Sequence, residues 1–345
     1  MGDLQFPSSL PDFQRLFPND AACAAYLEKI RWGNGFVCPA CKFASDPARI
    51  STRPHVLRCR ECRKETRLTA GTVMQDSHSP LLTWFWGAYL VSSMTPGMSA
   101  TQFQRQLGLG RYETAFQILH KLRAGMVRPD ADKIGGRYPV ELDETWIGGR
   151  TRGEGRGVHH KACVIGAVEV RKSHKKQLEQ QYGEQSRAIP RRGGKYAGRL
   201  RLRVIPDRSS ESLIGFSREA IEPETLIITD DCPSYGTLPD CDFKHKAVTE
   251  RGDPNVADEW LPLIHLIFSN LKTWLLGIHH GVSQQHLQVY LNEFTFRFNR
   301  RFYPFNAFRS LLGIASMAKS PTYSNLYSGS YKHQVIVTGS TTCGA

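Results

Sequence analysis

The chain predicts an α/β fold, a mixed sheet flanked by helices, with a small cysteine-bearing module and a helical region ahead of it. Three observations carry this. Short β-branched runs between residues 140 and 248 are followed by two long amphipathic helical patterns, the order expected of a sheet covered by helices. Two CxxC pairs, Cys38-Pro39-Ala40-Cys41 and Cys59-Arg60-Glu61-Cys62, lie in a basic stretch of short strands and turns. Residues 79–127, between these regions, are helical in pattern. The 345 residues include 45 Lys and Arg against 32 Asp and Glu, a net charge of +13, which points to a polyanionic partner. A hydrophobic fraction of 40% excludes a wholly disordered chain. The longest apolar stretch, residues 81–94, is too short to span a membrane. The N-terminus lacks the basic-then-apolar pattern of a secretory signal, so a cytoplasmic protein associated with the nucleoid is expected. In that compartment the nine cysteines serve metal binding or burial rather than disulfides.

The elements follow in order. Residues 1–35 form a helical lead-in, in which 11–32 read as one amphipathic helix because Ala22, Tyr26, Leu27 and Ile30 fall at helical spacing. Residues 36–75 form the cysteine module. Residues 76–130 form a helical region, and within it 98–126 divide at Leu107-Gly108-Leu109-Gly110 into two short amphipathic segments. That is the outline of a helix-turn-helix and equally of an ordinary αα-hairpin. The basic context favours DNA, with Arg111, Lys121 and Arg123 as candidate contacts. After Pro129 come strands at 140–147, 162–170 and 200–205, a helix opened by Ser209-Ser210, and strands at 225–229 and 243–248. Helices over about 258–276 and 283–297 close a domain of 135–310. The first three strands suit an antiparallel meander and the later ones parallel additions. Residues 311–345 read as a peripheral tail. Within residues 150–203 Lys and Arg far outnumber Asp and Glu, a run suited to tracking a phosphate backbone.

The doubled CxxC is the most specific motif. A tetrahedral zinc ion takes four soft donors, and each CxxC turn presents two thiolates to one side of it, so Cys38, Cys41, Cys59 and Cys62 form a closed structural site. Arg60 and Arg63 beside them are candidate DNA contacts. Two acids stand out as well. Asp143 interrupts an apolar strand and Asp230 ends another, positions where a carboxylate is unusual unless it binds a cation or a specific partner. Two such acids suit a pair of divalent cations for phosphoryl transfer. Arg297, Arg300 and Arg301, interleaved with Phe296, Phe298 and Phe302, form a basic and aromatic helix edge suited to holding DNA.

The CPxC and CRxC pairs, LTAGT at 68–72, LDETWIGG at 142–149, TDDCPSYG at 229–236, HLIFSNLKTWLLGIHHGV at 265–282 and YLNEFTFRFNRR at 290–301 together resemble an insertion-sequence transposase of the ISXO-type group, over about residues 15–315. The resemblance implies a zinc ribbon followed by an RNase H-like catalytic domain of the DDE superfamily. It further implies cutting at element ends, strand transfer into target DNA with Mg²⁺ or Mn²⁺, and a homodimer or higher oligomer on DNA. Asp143 and Asp230 match the first two catalytic acids. The third position departs from the pattern, since the residue seven before Lys272 is His265 rather than Glu. Seven residues are almost two helical turns, so His265 shares a face with Lys272 and ranks first for the third role. Asn270 ranks second and Glu259 third. Lys272 is the candidate phosphate contact. Two alternatives stay open: a DNA-binding protein derived from such an enzyme without catalysis, and an RNase H-like nuclease without strand transfer.

Overall fold

A computed structural model describes residues 5–94, 96–127, 132–148, 161–172, 194–248 and 261–328. Two compact units emerge, one of Met1–Asp130 with Tyr303–Ala345 and one of Ala131–Phe302. No helix among the described residues is long and apolar enough to cross a membrane.

The first unit opens with α1 (Leu10–Leu16) and α2 (Asp20–Arg31), each started by a side-chain cap, Ser9 accepting from the Asp12 amide and Asn19 from that of Ala22. The single lead-in helix expected from periodicity is therefore two. Pro18 lacks an amide to continue the first, and Asn19 restarts the second. Three short antiparallel strands follow, β1 (Ala48–Arg49), β2 (Val56–Arg58) and β3 (Glu65–Arg67), in the order β1-β2-β3. Next come α3 (Leu81–Ser93), α4 (Ala100–Gln106) and α5 (Tyr112–Ala124). Pro80 gives α3 no side-chain cap of its own, and the carboxylate of Asp20 accepts from the Leu81 and Leu82 amides at 3.2 and 2.8 Å instead. Between α4 and α5 the backbone turns through Gly108 at φ +61°, the left-handed region where glycine carries no steric penalty.

The second unit holds a five-stranded sheet in the order β6-β5-β4-β7-β8. Its strands are β4 (Val140–Ile147), β5 (Ala162–Lys172), β6 (Lys195–Ile205), β7 (Leu226–Asp230) and β8 (Lys244–Val248). The first three pair antiparallel, and β7 and β8 run parallel to β4, as the order of elements predicts. Side-chain alternation sorts the apolar residues into two layers. Leu142, Cys163, Ile165 and Ile227 pack under α6 (Ser210–Ala220) through Leu213 and Phe216. Val164, Val168, Leu200 and Leu202 pack on the other face under α7 (Pro262–His279) and α8 (Gln284–Asn299). Outer strand β6 does not end in bare amides, because Asn299 and Gln288 of α8 accept from the Leu200 and Val204 amides at 2.7 and 2.8 Å. That is one way to protect a sheet edge.

The C-terminal part departs from the expected peripheral tail. Helix α9 (Pro304–Ala315) belongs to the first unit, where its Leu311, Leu312 and Ala315 are buried and its Phe308 meets Phe13, Phe17, Tyr26, Phe85 and Tyr89 with ring centroids 5.6–6.4 Å apart. Gly125 abuts the same helix, since a Cβ there would stand 2.9 Å from that of Ala315. A final short helix, α10, spans Tyr323–Ser328. The expected catalytic-domain boundary at 310 falls inside α9, because the amphipathic pattern of α9 is completed by partners nearly 300 positions earlier.

Candidate metal centre and active site

The four cysteines converge. Cys38 lies 3.6 Å from Cys62 and Cys41 3.7 Å from Cys59, sulfur to sulfur, and the four Sγ atoms all fall within 4.8 Å of one another. Four thiolates at about 2.3 Å from one tetrahedral zinc ion would be roughly 3.8 Å apart, so the donor set fits zinc in both chemistry and size. The two turns repeat one geometry. Lys42 follows Cys41 at φ 62°, and Arg63 follows Cys62 at φ 60°. The Cys38 amide donates to the Phe43 carbonyl and the Cys59 amide to that of Lys64, at 3.0 Å in each turn. Backbone hydrogen bonds, first from Cys41 and then from Ala40, pull the Cys38 thiol down, while the neighbouring thiols push that of Cys41 up, so the cluster shares its charge. Among the described residues this is the one group of three or more potential ligands gathered so closely.

In the second unit the register brings the two acids together. Strands β4 and β7 are neighbours and parallel, with Glu141 opposite Ile228. Two residues onward, Asp143 in the middle of β4 and Asp230 at the end of β7 occupy equivalent positions on the face covered by α7. His265, in the first turns of α7, directs Nε2 to within 3.3 Å of Oδ2 of Asp143. Side-chain exposures of 14% for Asp143 and 31% for His265 leave the pair open to a ligand. Lys272, two turns along α7, lies in the field of Asp143. Burial of its stem pushes its pKa down and Asp143 draws it up. The ligand atoms of these residues are not gathered as tightly as the cysteine sulfurs.

The helix sits close because of Gly166. It pairs directly with Asp143 across β4 and β5, and a Cβ there would come 2.9 Å from both Ile264 and Phe268 of α7 and 3.0 Å from Leu202. Glu141 reinforces the approach. Its buried carboxylate accepts hydrogen bonds from the Leu263 and Ile264 amides, both at 2.9 Å, and burial pushes its pKa up to about 7. On the opposite face Glu144 pairs with Arg208 and accepts the hydroxyl hydrogen of Tyr235, tying the middle of β4 to the turn after Asp230. Burial raises the pKa of Glu144, and burial followed by the charge of Glu144 raises that of Tyr235. Sequence reasoning missed Glu141, Glu144 and Gly166. Two extra acids flanking Asp143 in an otherwise apolar strand were the available signal.

The other predicted residues divide. Asn270 is exposed on α7, away from the turn that faces Asp143, and Glu259 lies outside the described residues. Arg60, Arg63 and Arg111 are exposed, with Arg60 donating to the Asp46 carbonyl at 2.9 Å. Lys121 and Arg123 are corrections to the expected DNA surface. Lys121 is partly buried and donates to the Gln75 carbonyl, and Arg123 is buried with its guanidinium at the Met98 carbonyl, so both serve the helical core. The arginines on the basic edge of α8 are partly buried and take part in packing. Arg297 pairs with buried Glu293, Arg300 stacks 3.8 Å over Phe296, and Arg301 stacks 3.9 Å over Phe298 while donating to the Ala197 carbonyl. Burial takes the Arg301 pKa down to about 10. Planar guanidinium groups cover aromatic faces well, and here that packing accounts for the alternation of Arg and Phe. Most of the basic run at 150–203 lies outside the described residues.

A five-stranded mixed sheet of this order, with helices on both faces, has the RNase H-like arrangement. Residues 133–299 match the ISXO2-like transposase domain, and residues 18–65 match the transposase zinc-ribbon domain. In both regions the chain is similar to the ISXO2-like insertion-sequence transposases. It is 25% identical over 302 residues, 82% of its length and 92% of the relative's, to an uncharacterized protein in transposable element ISH50 of Halobacterium salinarum. An uncharacterized transposase-like protein of Haemophilus influenzae is 26% identical over 96 residues, covering 28% of this chain and 77% of that protein. No solved structure matches the chain significantly.

Proposed function

We propose that the protein binds the ends of an insertion sequence, cleaves the DNA there and joins the freed ends to a target. The observation that carries this reading is the register of Asp143 with Asp230 on adjacent parallel strands, under a helix that brings His265 to 3.3 Å from Asp143. Two carboxylates and an imidazole suit Mg²⁺ or Mn²⁺, and the imidazole favours Mn²⁺. Divalent ions held there supply Lewis-acid stabilisation for in-line attack on a phosphodiester. Asp143 and Asp230 bind and orient, His265 completes the donor set, and Lys272 meets the phosphate beside the scissile bond. Water attacks phosphorus and the P–O3′ bond breaks to leave a 3′-hydroxyl. That hydroxyl then attacks a target phosphodiester, forming one P–O bond as another breaks. The ribbon, with Arg60 and Arg63, and the α4–α5 pair, with Arg111 at its turn, hold the DNA in this reading, and two chains bring two ends together.

The test is cleavage and joining of the element's terminal DNA by purified protein in Mg²⁺ and in Mn²⁺, beside Asp143→Ala and His265→Ala. Joined products from wild type, lost in both variants, are expected. Full activity in Asp143→Ala would refute the assignment. Loss in Asp143→Ala alone would move the third role to Asn270 or Glu259. Nicks without joined products would indicate a nuclease, and end binding without cutting in either ion a DNA-binding derivative.

A further inference from the structure

We propose that Glu141 is a positioning residue for this reaction: from β4 it holds the first turn of α7, and through that turn it sets His265 against Asp143. The proposal rests on the reading of Asp143 and His265 given above. Its geometry forms a closed circuit. Glu141 and Asp143 are two apart on one strand and so share its α7 face. A single oxygen of Glu141, Oε2, accepts from both the Leu263 and the Ile264 amides. The next residue, His265, returns to Asp143 at 3.3 Å.

Capping alone does not require this arrangement. Helices α1, α2, α4 and α6 are opened by Ser9, Asn19, Ser99 and Ser209, each immediately before its helix. Leu261 provides no such cap for α7, and Pro262 opens the helix. The free amides are met instead by a carboxylate that is 2% exposed and reaches across from the strand bearing Asp143. Burying an acid for this purpose is unfavourable compared with a surface serine. What the buried acid adds is a fixed distance between strand and helix, so the first turn of α7 cannot slide or lift while Glu141 holds it. The same oxygen on a glutamine would hold both amides, and a shorter or missing side chain would not.

The experiment uses the full chain with terminal DNA and compares Glu141→Gln, Glu141→Asp and Glu141→Ala with wild type and Asp143→Ala. Amide hydrogen exchange across residues 261–266 is followed alongside cleavage, DNA affinity and the Mn²⁺ concentration needed for half-maximal cleavage. In Glu141→Gln, protection is kept and cleavage stays within about threefold. In Glu141→Ala, protection at Leu263 and Ile264 is lost, cleavage falls by about 100-fold, as a misplacement near 1 Å can cause, and the Mn²⁺ requirement rises about tenfold, while DNA affinity stays within about twofold. Glu141→Asp, which retains the charge and the fold, falls between the two. Glu141→Ala that cuts at the wild-type rate while Asp143→Ala is inactive overturns the proposal. Equal loss in Glu141→Gln and Glu141→Ala overturns it too, since charge rather than position would then matter. Asp143→Ala cutting like wild type is a different failure: it removes the reading of the site itself, and this proposal with it.

Discussion

Gly166 offers the sharpest test of how the helix is held to the sheet. Replacing it with alanine adds one carbon at 2.9 Å from Ile264 and Phe268 and 3.0 Å from Leu202, where carbon atoms rest at about 3.5–4.0 Å. Some 0.6–1 Å of movement is needed, and the neighbours are themselves buried, so they have little room to give. Overpacking of this kind costs about 1–3 kcal/mol. Against it stands a gain of about 0.5–1 kcal/mol from removing a glycine in a strand. The expected net is destabilisation by about 0–2.5 kcal/mol, centred near 1, read as a drop of a few degrees in the melting temperature of the second unit. Activity should fall further than stability. The movement separates α7 from β4 where His265 meets Asp143, and a displacement near 1 Å can cost about 100-fold in rate. Gly166→Val should be worse on both counts. Thermal unfolding followed by circular dichroism, paired with cleavage of terminal DNA at a temperature where both proteins are folded, measures the two effects separately. A Gly166→Ala protein that melts at or above wild type and cuts at the wild-type rate would refute the argument that the missing side chain sets the helix position.

Other outcomes follow from the same coordinates. One zinc per chain is expected by atomic absorption, and Cys59→Ser should lose it and lower the melting temperature of the ribbon-bearing unit. Phe308→Ala removes the ring at the centre of the aromatic cluster and should cost about 3–5 kcal/mol in urea unfolding of the first unit. Two buried glutamates should give opposite pH slopes. Glu141, raised to about 7 from 4.5, contributes stability that is complete below pH 4.5 and lost as pH rises through 7, on the order of 3 kcal/mol, so Glu141→Gln should flatten the fall in melting temperature across that window. Burial acts to raise the pKa of Glu169, but hydrogen bonds from Arg199, Gly135 and Arg171 leave it lowered, so its contribution is present above pH 4.5 and lost on acidification below it. Glu169→Gln should therefore lower the melting temperature at pH 7 and lose that acid slope in melts followed across pH.

Much of this architecture is legible in the sequence where local chemistry decides it. Strand β4 is read to its ends because apolar residues surround Asp143, and Asp230 is visible for the same reason at the end of β7. The spacing that places His265 and Lys272 on one face is a property of any helix. What is hidden depends on distant partners. Arg300 and Arg301 look alike in a sequence whether or not they lie over a phenyl ring, and only the fold shows the rings beneath them. Arg123 has the composition of a DNA contact and the location of a core residue. Glu141 shows itself as a cap only once a helix 120 positions later is laid against it. Pro18 was a local signal that an apolar period overrode.

The return of α9 to the first unit bears on how the chain is made. Ala131–Phe302 is one continuous stretch of chain. The ribbon-bearing unit that begins the chain cannot close its aromatic centre until Phe308 has been synthesised, after a further stretch of roughly 170 residues, or on the order of ten seconds or more at ordinary elongation rates. A polypeptide truncated near residue 302 would retain the whole sheet of the second unit yet leave Phe13, Phe17 and Phe85 without the ring that covers them. The half made first is thus the half completed last.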